Sequence, residues 1–252
     1  LYVARQIIIG EIKGSKAFFY LSTMLIILYN IRYPALFIIG GVLLYGILNI
    51  KKHYGKTFIF SGVTGLIFVV LYKFLFIDYF NETYIERFLN MGLHPTSKLL
   101  IELFQGMATT FNPFIHIANP AGGIINYGIY GIGLLNILLL CFLFIKNKLS
   151  ETEQFLVFIG VTGIICSYFV QYFYSVNAID YRLMAPFSFP IWLVYFRKLY
   201  SVLGKFTYGI TVLSLMTGFV FTWLSRGNYL ENRREITKFL KSEKMENVPL
   251  KF

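Results

Sequence analysis

Apolar residues gather in long runs that carry almost no charge, and short clusters of Lys and Arg separate the runs. This pattern predicts membrane-spanning helices, which need roughly 20 apolar residues each. The runs fall at residues 17–31, 34–50, 57–77, 124–145, 155–176, 183–196 and 206–224. The first two meet at Arg32-Tyr33-Pro34, so they read as two short helices joined by a polar turn rather than one very long helix. Lys73 lies near the end of its run, where a long stem can carry the ammonium to the interface. The expected architecture is all-α and polytopic. About seven spans occupy residues 1–224, and residues 225–252 form a polar extramembrane tail.

The basic residues then give an orientation. Alternate loops hold Lys13 and Lys16, then Lys51, Lys52 and Lys56, then Lys146 and Lys148, then Arg197, Lys198 and Lys205. Before the tail, the opposite loops hold only Arg32, Arg87, Lys98 and Arg182. Positive charge marks the cytoplasmic side. The turn at Arg32, the loop 78–123 and the turn at Asp180–Arg182 therefore face outward together. An odd number of spans also places the tail outside, where its Arg and Lys residues run against the trend. A small folded appendage or an uncounted span would reconcile the two.

The outward loop 78–123 is too long to be a simple connector. Thr96 to Phe104 follows Pro95 with helical apolar spacing, which predicts a helix lying in the interface. Asn112-Pro113 and Asn119-Pro120-Ala121-Gly122-Gly123 mark turns before the run at 124. The triplet Asn81-Glu82-Thr83 is a glycosylation sequon, meaningful only in a glycosylating compartment.

Composition agrees with a membrane protein. Hydrophobic residues are 57% of the chain and charged ones 14%, against about 25% charged in soluble domains. The net charge of +11 falls largely in the short loops, so it reflects topology and not a nucleic-acid surface. Cys141 and Cys166 both sit inside apolar runs and suggest packing, with no disulfide framework. The chain opens at Leu1 without a signal peptide's basic start, and LYVARQIIIGEIKGSK reads as the middle of a longer protein.

Ionisable residues are expensive within a bilayer, and here they concentrate at the outward face. Arg32 and Arg182 each stand beside a tyrosine, Tyr33 and Tyr181, and each precedes an apolar run containing proline. A guanidinium fork makes paired, charge-assisted hydrogen bonds to phosphate. These four residues are thus candidates to hold a lipid phosphate or pyrophosphate; the plainer reading is an interfacial anchor or an Arg182–Asp180 structural pair. The outward carboxylates are Asp78, Glu82, Glu86, Glu102 and Asp180. Asp180 is the leading candidate for a general base, because it neighbours Arg182 at the mouth of a span. His94 and His116 share the outer loop without a zinc-ligand spacing, so no metal site and no cofactor is expected, and a divalent cation has no recognisable ligand set. There is no P-loop and no nucleophile elbow.

Two segments carry a resemblance. LSTMLIILYNIRYPALFIIGGVLLYGILN (21–49) resembles the paired short helices joined by an Arg-Tyr/Pro turn in polytopic glycosyltransferases of the GT-C type. DYRLMAPFSFPIWL (180–193) resembles their later span, which opens with an Arg-Tyr-like pair and carries prolines. The resemblance implies sugar transfer from a polyprenyl-phosphate-linked donor on the extracytoplasmic face, with inversion and an acidic residue as base. Arg32 and Arg182 would then face the phosphate of the carrier. The family's key acidic residue belongs to the first outer loop, upstream of anything seen here. This chain therefore looks like the C-terminal part of such an enzyme, integral to a bacterial cytoplasmic (inner) membrane.

Two other classes compete. A non-catalytic integral subunit of a larger membrane complex needs no catalytic base. A transporter, or a lipid-linked polysaccharide polymerase or ligase, would also use outward arginines, but a transporter should show central polar or broken spans. Asn136 stands out as a mid-span amide.

Overall fold

The computed structural model describes residues 1–31, 34–75, 96–114, 124–173 and 181–242. All regular structure among them is helical: α1 (Tyr2–Ile8), α2 (Gly14–Ile31), α3 (Ala35–Leu48), α4 (Gly55–Leu75), α5 (Thr96–Thr110), α6 (Ile124–Lys146), α7 (Glu151–Phe173), α8 (Tyr181–Leu203) and α9 (Phe206–Ser242). Three of these contain segments long and apolar enough to cross a membrane, Gly55–Leu75, Asn126–Lys146 and Glu151–Val170. Ala35–Leu48 and Phe206–Val220 are shorter apolar helices. Large apolar side chains are exposed along the outer faces, among them Phe60, Ile67, Leu135, Leu138, Ile165 and Phe219.

The helix ends follow local chemistry. Gly10 and Gly14, with φ of 80° and 59°, make the turn between α1 and α2, a conformation that costs other L-residues energy. Gly204 (φ 55°) ends α8, its N–H bonded to the Tyr200 carbonyl at 2.8 Å, as a left-handed C-terminal glycine does. Pro34 opens α3, where a missing N–H is not needed. At α7, Ser150 and Glu153 form a capping box. The Ser150 N–H donates to Glu153 Oε2 at 2.7 Å, and the Glu153 N–H lies 3.4 Å from Ser150 Oγ, so each satisfies a donor that the helix start leaves open.

Packing places α3 between α4 and α7, with α2 against α4 and α8 against α7. The closest approaches run through glycine, as expected where helices cannot rely on water to drive them together. A Cβ on Gly163 would stand 2.1 Å from the Phe187 ring, and one on Gly160 would stand 2.6 Å from the Phe187 carbonyl oxygen. One buried cluster joins α1–α4 to the start of α7. A second joins the end of α5 to α6, α7 and α8.

Three features differ from the sequence expectation. The helix α1 is present, and Ala4, Ile7 and Ile8 bury against the α2–α4 core; its seven residues are too short to register as an apolar run. The helix α8 continues beyond residue 196, carrying Arg197 and Lys198 within it to Leu203, because a basic pair ends a hydropathy run without breaking hydrogen bonds. It also runs through Pro186 and Pro190, so the Pro186 carbonyl lacks its usual helical donor. Finally, α5 continues past residue 104, exposing Leu100, Ile101 and Phe104 but not the residues that follow. Its last turn enters between α6 and α8 and buries Ala108, Thr109, Phe111 and Asn112. The helix α9 passes through residue 224 without a break.

Candidate functional site

Of the residues singled out from sequence, Arg32, Tyr33 and Asp180 lie outside the described residues, as do Asp78, Glu82, Glu86, His94 and His116. The backbone of Tyr181 and Arg182 forms the first turn of α8, and their side chains are outside the described atoms. Shortly beyond those positions the structure makes one informative contact. Phe37, in the first turn of α3, meets Phe187 of α8 with ring centroids 6.0 Å apart. The two helices therefore begin at the same end of the bundle.

Below that end the interior becomes polar. Helix α5 stops at Thr110, and a turn follows through Phe111–Phe114. Backbone donors meet two of its last carbonyls, the Phe111 N–H bonding the Met107 carbonyl at 3.0 Å and the Asn112 N–H the Thr109 carbonyl at 3.4 Å. The turn itself is tied down by side chains. Asn136 Nδ2 donates to the Phe111 carbonyl at 3.0 Å, and Asn136 Oδ1 accepts from the Tyr195 hydroxyl at 2.6 Å. Asn112 Nδ2 donates to the Ile129 carbonyl at 2.9 Å, while its Oδ1 accepts the Phe114 N–H at 2.9 Å. The Ser214 hydroxyl of α9 donates to the Pro113 carbonyl. Asn112, Asn136 and Tyr195 are 0%, 7% and 3% exposed, so these bonds replace water altogether. Trp192 closes the group, 5.8 Å from Phe111 and 5.4 Å from Tyr195, centroid to centroid.

Gly133 makes this approach possible. A Cβ there would stand 1.8 Å from the Ala108 carbonyl oxygen. Gly133 and Asn136 lie nine and twelve residues along α6, about 14 and 18 Å from its start at 1.5 Å per residue. Asn136 was visible in the sequence as a mid-span amide, and Asn112-Pro113 as a turn. Their pairing through Phe111 was not visible, because nothing in the spacing reveals that α5 reaches so far in.

The opposite end of the bundle is ionic. Glu153, 3% exposed, takes Lys198 Nζ at 2.9 Å and faces Arg197 Nε at 3.5 Å. Lys52 pairs with Glu151 at 2.6 Å, and the Tyr45 hydroxyl donates to the Glu151 carbonyl at 3.2 Å. Burial pushes the Tyr54 phenol above its ordinary value, so it stays neutral beside Lys52, whose ammonium lies 5.7 Å from its ring centroid. His53 Nε2 is 3.1 Å from the Ile7 carbonyl oxygen, a structural contact to α1. Cys141 and Cys166 are both free thiols. Among the described residues no three His, Cys, Asp or Glu side chains gather as metal ligands would.

No protein-family model, no curated protein and no solved structure matches this chain.

Proposed function

We propose that this chain is the carrier-binding, membrane-embedded part of a glycosyltransferase of the GT-C type. Helices α2, α3, α4, α6, α7, α8 and α9 cross the membrane of a bacterial cell. The ionic end faces the cytoplasm, and the starts of α3 and α8 face outward. Arg32 and Arg182, flanked by Tyr33 and Tyr181, hold the phosphate of a polyprenyl-phosphate-linked sugar by charge-assisted hydrogen bonds. Asp180 is the carboxylate nearest in sequence to the Arg182 side of that phosphate and is the candidate base within this chain.

The observation that carries this reading is the Phe37–Phe187 contact. Each ring lies five residues beyond one of the two arginines, so the contact supports a reading in which the two arginine-bearing segments act together. The inserted α5 supports it further. In this orientation α5 enters from the outer face and ends near the middle of the bilayer. Irregular backbone at that depth is tolerated only where protein buries it or where it lines a cavity, and an enzyme acting on a lipid-borne sugar needs such an outward-facing recess.

The test uses farnesyl phosphate and farnesol, which share an isoprenoid chain and differ in the phosphate. Farnesyl phosphate should raise the unfolding temperature of the purified chain while farnesol does not. Arg32→Ala and Arg182→Ala should each weaken that effect by about tenfold or more, the worth of one lost charge-assisted pair. Equal protection by the two probes would sink the reading. The second reading, a non-catalytic subunit, is favoured by one feature: Ile236 and Phe239 stand one turn apart on α9, 55% and 62% exposed, beyond its apolar part. Failure of farnesyl phosphate, together with co-purification of a membrane partner lost on Phe239→Asp, would select it.

A further inference from the structure

The ionic end of the bundle contains a cleft whose residues are not absorbed by the outward site. It measures about 440 Å³ and lies where α6 ends, α7 begins and α8 passes, lined by Lys148, Ser150, Glu153, Arg197, Lys198 and Ser201. We propose that it binds the phosphate headgroup of an anionic phospholipid from the adjoining leaflet. This rests on the membrane-spanning orientation above and not on glycosyl transfer.

Charge comes first. Three cations and one carboxylate line the cleft, and the carboxylate is engaged by two of them and by a backbone N–H. Glu153 Oε2 holds the Ser150 N–H and Lys198, and Oε1 faces Arg197 Nε. Lys198 is fixed a second time, its ammonium donating to the Lys148 carbonyl at 3.1 Å, and its side chain is only 14% exposed. Glu153 and Lys198 therefore form the built wall of the cleft. The remaining positive charge is available. The Arg197 side chain is 72% exposed, and with Nε turned toward Glu153 its two terminal nitrogens have no partner among the described residues. The Lys148 ammonium likewise has none there. A guanidinium edge and an ammonium on one rim suit the oxygens of a phosphodiester. Basic pockets between spanning helices on the cytoplasmic side are the places where anionic headgroups bind.

Leu149 in the lining and exposed apolar residues close by in sequence suit the acyl chains of a lipid. Ile145, three residues before Lys148, is 86% exposed, and Val202, next to Ser201, is 57% exposed. Acyl chains descending beside α6 and α8 would cover both. A free phosphate would leave them bare.

The experiment measures unfolding temperature of the full chain in a neutral detergent with dioctanoyl phosphatidylglycerol, dioctanoyl phosphatidylcholine or inorganic phosphate. Phosphatidylglycerol should stabilise the chain, and the other two should not at equal concentration. Lys148→Gln with Arg197→Gln should weaken that effect roughly tenfold or more, whereas Lys51→Gln, an exposed lysine at the same end, should leave it unchanged. The double variant keeps the Glu153–Lys198 wall and loses only the long, exposed Arg197–Glu153 contact, so its ligand-free melting should fall only slightly. Arg182→Ala should leave phosphatidylglycerol binding intact while weakening the farnesyl phosphate effect, which separates this site from the outward one. Equal stabilisation by phosphatidylcholine, equal stabilisation by phosphate alone, or full binding by the double variant would each overturn the proposal.

Discussion

The two halves of this bundle are held together by different chemistry. In α1–α4 and the start of α7 the core is aromatic and aliphatic. Tyr45, Tyr54, Phe58 and Phe155 pack ring on ring, and Tyr29 meets Phe68 and Tyr72 edge to face. In α5–α8 the core holds Asn112, Asn136, Thr109, Thr110, Ser167 and Ser188, with Tyr195 bonded at its centre. The first half packs mainly through rings and aliphatic groups, with Ser22 and Ser61 also buried there and the Ser61 hydroxyl donating to the Phe18 carbonyl at 3.4 Å. The second contains a helix that stops inside the protein and therefore needs side-chain donors at fixed positions. A scaffold tolerates substitutions that conserve volume. A core built on buried hydrogen bonds does not, because one removed partner strands another polar group.

The sharpest test of this difference is at Gly133. Gly133→Ala places a methyl group on the Ala108 carbonyl oxygen, 1.8 Å away unless the backbones part. Backbone cannot rotate aside as a side chain does, so α5 must withdraw and the bond from Asn136 to the Phe111 carbonyl must fail with it. A loss of about 3 kcal/mol or more is expected, read as a fall in unfolding temperature and faster hydrogen exchange in the 105–114 segment. Gly131→Ala, on the same helix with open space around it, should be neutral or gain up to about 1 kcal/mol from helix propensity. Equal effects at the two glycines would mean that α5 does not press on α6.

Asn136→Leu asks the same question of the hydrogen bonds. It leaves the Phe111 carbonyl and the Tyr195 hydroxyl without their partners, at a cost of about 2–3 kcal/mol. Tyr195→Phe alone should cost about 1 kcal/mol, and close to nothing in the Asn136→Leu background, since the stranded hydroxyl has gone. Equilibrium unfolding of the four proteins gives the coupling directly. Strict additivity would break the claim that these residues act as one unit.

The sequence made the scaffold half easier to read than the polar half, and the reason is physical. Runs such as 57–77 and 124–145 announce helices because apolar length is a local property, and α4 and α6 lie where those runs are. The Arg32-Tyr33-Pro34 interruption likewise falls between the ends of α2 and α3. The position of α5 is not local. Its apolar spacing after Pro95 suggested a helix, but whether a helix rests on a surface or enters a bundle depends on a glycine and an asparagine in another element. Gly133 and Asn136 carry that information, and neither is close to α5 in sequence. The capping box at Ser150 and Glu153 is local as well, since its Ser-x-x-Glu spacing lies within four consecutive residues.

Tyr29 in the scaffold half should give the smallest effect, and that smallness is the point. The ring is 9% exposed and meets Phe68 at 6.4 Å and Tyr72 at 6.1 Å between centroids, both nearly perpendicular. Each edge-to-face pair contributes about 0.5–1.5 kcal/mol beyond the area it buries. Tyr29→Leu removes both pairs but keeps most of the apolar volume, and the neighbouring rings can relax toward the smaller side chain. The expected loss is about 1 kcal/mol, well below that of Asn136→Leu although tyrosine is the larger side chain. A loss at Tyr29 equal to or above that at Asn136 would mean that ring packing, and not buried hydrogen bonding, is the more demanding constraint in this bundle.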